Sequence, residues 1–217
     1  MKLIYLFLIL PLLFSCNGGQ QIASTNGFAV LPKPAAGEAV ATFAGGCFWA
    51  MQESMIQLKG VHTVISGYAG GITKNPSYEE VSAQNTGHAE AVQVYYDPSK
   101  ISYEELTHAF FIAHDPTQLN RQGPDVGPEY RSAAFYRNPE ELKTLARVRS
   151  DMEVKKYYKE NFVTELEPFQ VFYPAESSHQ NYYQRNTWDP YIRSVSRPKV
   201  MHVRKELPQL IKAEYLN

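Results

Sequence analysis

The chain is poor in cysteine. Its 217 residues contain two, Cys16 and Cys47, and no third follows. With one thiol near the N-terminus and one in the body, a disulfide framework is excluded. Charge of one sign is also missing. Lys and Arg number 21 against 22 Asp and Glu, a net charge of -1. That balance gives no electrostatic case for nucleic acid or for a strongly acidic substrate. The histidines His62, His88, His108, His114, His179 and His202 are scattered without metal-ligand spacing. With a single thiol to join them, a zinc site is not expected. No internal repeat is present.

The N-terminus is a targeting segment. Lys2 precedes an uncharged, largely apolar run from Leu3 to Phe14. The run is too short for a membrane-spanning helix, which needs about 20 residues. Leu13-Phe14-Ser15-Cys16 resembles a bacterial lipobox, although Phe14 is bulkier than is usual at its position. The resemblance implies cleavage before Cys16, its lipidation, and an exported protein anchored to a membrane of the periplasm or cell envelope. An ordinary secretory signal with an incidental cysteine is the alternative. Residues 17–38 carry Gly, Pro, Gln, Ser and Ala with little apolar pattern, and read as a flexible tether.

What is abundant is apolar and aromatic: 44% hydrophobic residues, 15 tyrosines and 11 phenylalanines. That suffices for one sizeable core, so residues 39–200 are expected to form one domain, with a helical tail over 201–217. Ala39 to Ala44 reads as a strand ending at Gly45-Gly46. Phe48, Met51, Met55 and Leu58 then fall at helical spacing. Val61–Tyr68 and Glu90–Tyr96 read as strands, as do Arg131–Tyr136 and Phe169–Tyr173. Ser77/Glu80 and Ser102/Glu105 have the form of capping boxes, and Asn138-Pro139 opens a long helix. The stretch from Asp115 to Pro128 reads as loop, and Leu207 to Tyr215 as helix. Strands and helices mix without regular alternation. The expected class is α+β, with helices on a mostly antiparallel or mixed sheet.

Cys47 would follow a glycine turn at a helix start, where free N–H groups and the helix dipole favour a thiolate. Glu90 opens a strand and shares a face with Val92, Val94 and Tyr96. Burial there would raise its pKa and keep a general acid protonated, while a solvated strand-end glutamate is the equal alternative. His88 lies two residues earlier, so a Cys47–His88 pair for a hydrolase or acyltransferase stays open. Phe48 and Trp49 are core residues, walls of an apolar pocket, or one of each. Tyr78 and Tyr130 sit by loops where hydroxyls could meet a ligand.

Five segments in order carry a resemblance over about residues 39 to 200: Gly45-Gly46-Cys47-Phe48-Trp49; Gly67-Tyr68-Ala69-Gly70-Gly71; Asn75 to Val81; Thr86-Gly87-His88-Ala89-Glu90; and Asp115 to Gly127 with Tyr130-Arg131-Ser132. Together they resemble the methionine sulfoxide reductase A family. The resemblance implies a two-layer α/β sandwich related to the ferredoxin-like plait. It implies Cys47 as nucleophile and Glu90 as acid. Tyr78 and Tyr130 would hold the sulfoxide oxygen, Phe48 and Trp49 would wall a methyl pocket, and Asp125 would lie near the substrate. Substrates would be proteins or peptides containing methionine-S-sulfoxide, and no cofactor or metal would be bound. The family usually resolves its sulfenic acid with a second cysteine, often near the C-terminus, and here none follows Cys47. An external thiol (thioredoxin, glutaredoxin or a small molecule) is therefore expected to regenerate the enzyme. A non-catalytic lipoprotein that binds oxidised peptides remains a third reading.

Overall fold

A computed structural model describes residues 20–216. The signal segment, Cys16 and the first tether residues lie outside the described residues.

The chain opens with a small hairpin, β1 (Ser24–Thr25) and β2 (Phe28–Ala29). Asn26 and Gly27 turn it, both at positive φ, as a tight two-residue hairpin requires. Then follow β3 (Ala39–Gly45), α1 (Phe48–Ile56), β4 (Val61–Ala69), α2 (Tyr78–Ser82), β5 (Ala89–Tyr96) and α3 (Tyr103–Ala113). A second small hairpin, β6 (Arg121–Gln122) and β7 (Asp125–Val126), precedes β8 (Ser132–Tyr136) and α4 (Pro139–Val154). The chain continues through β9 (Glu165–Pro168), β10 (Phe172–Pro174), α5 (Tyr182–Arg185) and α6 (Arg197–Glu206).

Six strands form one mixed sheet in the order β10-β4-β5-β3-β8-β9. Its pairings are antiparallel except β8 with β9. Central β5 is buried along its whole length. Val92, Val94 and Tyr96 face a core shared with Met51 and Met55 of α1 and Phe110 of α3. The other face combines small residues, Ala44, Ala69, Ala89, Ala91 and Ala133, with Ile65, Tyr95, Phe135 and Phe172.

That second face corrects the tether. Ile22, Ala29 and Leu31 pack against it. Ala29 N donates to Ala175 O and Ser177 N to Gly27 O, while Gln20 exchanges hydrogen bonds with the Val64 backbone. The segment has no apolar period because it forms no long element. Single apolar side chains and main-chain bonds hold it on this face.

Both capping boxes form reciprocally, and the Asn138 side chain caps α4. Other parts of the fold depart from the expectation. The strand expected at Phe169–Tyr173 is shifted to Phe172–Pro174, and edge strand β9 was not foreseen. Its sequence Glu-Leu-Glu-Pro carries charge where a strand signal needs apolar alternation, and Arg131 Nε donates to Glu165 at 2.9 Å. The tail is not one helix. α6 runs across residue 200, and short 3-10 turns follow at Pro208–Leu210 and Ala213–Tyr215. Pro208 lacks the N–H that would continue α6. The tail is instead pinned to the end of α1, where Lys59 N donates to Leu210 O and Lys212 N to Gln57 O.

Candidate active site

The site forms where β3 turns into α1. Gly46 adopts φ +77°, and a β-carbon there would collide with Gln122. At Gly45 a β-carbon would meet the Met51 methyl and the His114 ring. Only glycines let the main chain fold this closely under its neighbours. His114 is itself fixed, Nδ1 to Phe110 O at 2.8 Å and Nε2 to Ser132 Oγ at 2.7 Å. Burial holds its pKa down at about 4, so it stays neutral.

Cys47 occupies the N-cap position of α1 without a side-chain capping bond and is 6% exposed. Two groups favour its thiolate, the Trp49 N–H at the helix start and the Tyr191 hydroxyl. Burial outweighs both, and the charge of Glu90 adds to it, so the thiol is pushed well above its ordinary range. The helix start therefore helps, as its position in the sequence suggests, but does not by itself deliver a thiolate in the free protein.

Glu90 lies at the head of β5, beyond the last residue that pairs with β3. It is 2% exposed, and Phe48 N donates to its Oε2 at 2.9 Å. The first turn of α1 thus joins the carboxyl to the thiol. Burial raises the Glu90 pKa to about 8, with Asp125 and Glu129 adding to the rise and the Phe48 N–H and Cys47 opposing it. At neutral pH it is a protonated acid held beside a sulfur.

An aromatic wall surrounds the pair. Phe48 packs on Tyr68, Tyr78 and His179, and Trp49 stacks on Tyr182 with ring centroids 3.9 Å apart. Tyr191 meets Trp49 edge-on. Burial raises the Tyr78 pKa to about 12 and that of Tyr130 further, and the charge of Glu90 adds to both, so both hydroxyls remain donors. Asp125 accepts a 2.6 Å hydrogen bond from Tyr191 OH. The structure thus brings Cys47, Glu90, Phe48, Trp49, Tyr78, Tyr130 and Asp125 into one electrostatic and packing neighbourhood.

His88 is not part of it. Gly71 N donates to its Nδ1 at 3.0 Å, and its Nε2 faces Thr73 O at 2.8 Å. With both ring nitrogens engaged in holding the turn after β4, no nitrogen is left to act on Cys47, and the Cys47–His88 reading is withdrawn. Among the described residues no group of three His, Cys, Asp or Glu could hold a metal ion.

Several site residues escape the sequence reading. Glu176 accepts from Tyr68 OH at 3.0 Å and from Tyr78 N at 2.8 Å, fixing two walls at once. His179, Tyr182 and Tyr191 come from the segment after β10. Asp189 ties that segment together, accepting from Tyr182 OH and Tyr191 N. Nothing local marks these residues, since tyrosine is common throughout the chain.

Comparisons with known proteins place the chain in a family. The model of the family described as Peptide methionine sulfoxide reductase matches residues 39–210. A peptide methionine sulfoxide reductase MsrA of Natronomonas pharaonis is 45% identical over 173 residues, 80% of this chain and 97% of that protein. One from Rhodopirellula baltica is 47% identical over 176 residues, 81% of this chain and 91% of that protein. The crystal structure of reduced Mxr1 from Saccharomyces cerevisiae superposes with a TM-score of 0.68 at 35% identity, covering 72% of this chain and 91% of that one. Methionine sulfoxide reductase A of Corynebacterium diphtheriae gives 0.67 at 32% identity, covering 70% and 77%. Over residues 39–210 the chain belongs to the peptide methionine sulfoxide reductase family.

Proposed function

We propose that this protein reduces methionine-S-sulfoxide in proteins and peptides to methionine, with Cys47 as nucleophile and Glu90 as general acid. The observation that carries the reading is the buried pair itself: a thiol and a protonated carboxyl joined through the first turn of α1. The sulfoxide oxygen is a poor leaving group until it is protonated. Glu90 supplies that proton as Cys47 Sγ attacks the substrate sulfur, and the Tyr78 and Tyr130 hydroxyls hold the oxygen. The S–S bond formed in that attack and the substrate's S–O bond both break as the oxygen passes to Cys47 as a hydroxyl, and the proton lost by the thiol returns to Glu90. In sum, Cys47–SH and R–S(O)–CH₃ give Cys47–SOH and R–S–CH₃. The cysteine sulfur loses two electrons and the methionine sulfur gains them. Phe48 and Trp49 wall the space for the methyl group.

The sulfenic acid then needs two further thiol equivalents. The first forms a mixed disulfide and releases water, and the second frees Cys47. An external thiol supplies both.

The test is an assay with each sulfoxide epimer of a methionine peptide and dithiothreitol. The S epimer is expected to turn over and the R epimer to remain. Turnover of the R epimer would sink the stereochemical assignment.

The anchor at Cys16 is part of the same reading. Lys2, the apolar run and Leu13-Phe14-Ser15-Cys16 support export and lipidation. Gln20, four residues on, already bonds to Val64. The link from lipid to domain would then be short. Intact mass of the membrane-extracted protein tests it: a diacylglyceryl Cys16 as first residue is expected, and an unmodified chain contradicts it.

A further inference from the structure

β10 pairs with β4 over Gly67, Tyr68 and Ala69 and stops there. Farther along that edge of β4, side-chain amides stand where a strand would continue. Gln20 accepts from Val64 N at 2.8 Å and donates to Val64 O at 2.7 Å. Gln180 accepts from Ser66 N at 3.0 Å and donates to Ser66 O at 2.9 Å. A carboxamide carries both a donor and an acceptor, so it can serve a strand edge as a peptide group does. Gln52 of α1 donates to the same Val64 O at 2.7 Å.

These amides are also tied to the start of α5. Gln20 Nε2 donates to Asn181 Oδ1 at 2.9 Å, and Asn181 Nδ2 donates to Gln20 O at 2.8 Å. Asn181 N donates to Gln52 Oε1 at 2.8 Å. Asn181 holds a left-handed backbone, φ +52°, and its side chain makes no capping bond to α5. Such a conformation persists in a residue other than glycine only where its surroundings fix it. Here the oxygen and the nitrogen of its amide both go to Gln20. The next residue is Tyr182, whose ring lies on Trp49 with centroids 3.9 Å apart. Trp49 in turn stands one helical turn before Gln52. Each ring of that stack is therefore set by an element that the amide cluster holds. Gln20 is delivered to the cluster by a fixed strap, since Gly27 O accepts from Ser177 N and Ala29 N donates to Ala175 O. The whole strap precedes residue 39, where the match to the family begins.

We infer that Gln20 is a positioning residue for the substrate pocket: through Asn181 it holds Tyr182 against Trp49, so the segment ahead of the reductase domain completes the aromatic wall. That this wall receives the sulfoxide side chain rests on the proposed function. The packing link from Gln20 to the stack does not, and the two are read separately. The full chain is purified in detergent with Trp188→Phe, which removes an exposed tryptophan and leaves Trp49 as the one reporter. Acrylamide quenching of Trp49 then reports the stack. The rate of the single turnover that occurs without reductant, measured against peptide concentration, reports binding through its half-saturation and chemistry through its plateau.

Gln20→Ala is expected to steepen the quenching and to raise the half-saturating peptide concentration about three- to tenfold, the range that one hydrogen bond is worth. The plateau should stay as it is, because Cys47 and Glu90 are not touched. Gln20→Glu should do more, since its carboxylate would face the Val64 and Asn181 oxygens that now accept from Gln20. Asn181→Gly suits the left-handed backbone and removes the partner amide, and it carries the test if the alanine variant does not fold. It should reproduce Gln20→Ala, and the double variant should add nothing to either alone. Unchanged quenching in Gln20→Ala and Asn181→Gly overturns the inference, and a fall in Tm beside it would make Gln20 no more than a closure of the β4 edge. Additive effects in the double variant, or a lower plateau at unchanged half-saturation, overturn it as well. If the parent chain releases no methionine, the proposed function fails, and the quenching alone decides whether Gln20 holds the stack.

Discussion

A Cys47→Ser protein is expected to keep its fold and release no methionine from any sulfoxide. The substitution is nearly isosteric, so the buried turn between Gly46 and Phe48 has no reason to open. The chemistry is another matter. The reaction moves an oxygen atom onto the attacking group and oxidises that group by two electrons. Sulfur accepts this as a sulfenic acid. A serine oxygen would have to become a peroxide. Its hydroxyl is also a weaker nucleophile, and at so buried a position it ionises far less readily than a thiol. The measurement is methionine release by chromatography, with circular dichroism to verify the fold. Residual turnover that survives exhaustive removal of wild-type protein would place the nucleophile elsewhere.

Glu90→Gln should cost most of the rate while leaving binding largely in place. The amide can still accept the hydrogen bond from Phe48 N, which Glu90 accepts at 2.9 Å. It cannot give up a proton. The expected loss in kcat is about 10²–10⁴-fold, the range of general acid catalysis. The pH dependence fixes the sign. Burial raises the Glu90 pKa to about 8, far above an ordinary carboxyl. The active form is the protonated one, so its contribution is full below that value and is lost as pH rises through it. Wild-type kcat/KM should therefore carry an alkaline limb near pH 8. The Gln variant should lack that limb and rise with pH as the thiolate becomes populated. An unchanged rate, or a limb that persists in the variant, removes Glu90 from the mechanism.

What the sequence made legible was local. The capping boxes at Ser77 and Ser102 and the proline-started helix at Asn138 rest on bonds between residues three apart, and all of them form. The strand, glycine turn and helix around Cys47 are equally local. Glu90 could be singled out because the head of an apolar strand leaves few places for its carboxylate. What stayed hidden depends on distant partners. Glu165 sits in a strand only because β8 and Arg131 meet it. Residues 20–31 look like a linker until the second face of the sheet, which they cover, is known. Tyr191 belongs to the site through Asp125, 66 positions away, and one tyrosine among 15 carries no mark of that. His88 shows the converse. Its nearness to Glu90 in sequence suggested chemistry, yet its ring is spent on Gly71 and Thr73.

The most direct test withholds the reductant. The purified domain receives a slight excess of methionine-S-sulfoxide peptide with no thiol present, followed by dimedone, and is analysed by mass spectrometry after proteolysis. The account predicts one methionine released per protein and a single dimedone adduct, on Cys47. Release without an adduct, or a disulfide from Cys47 to another cysteine of the chain, would contradict it.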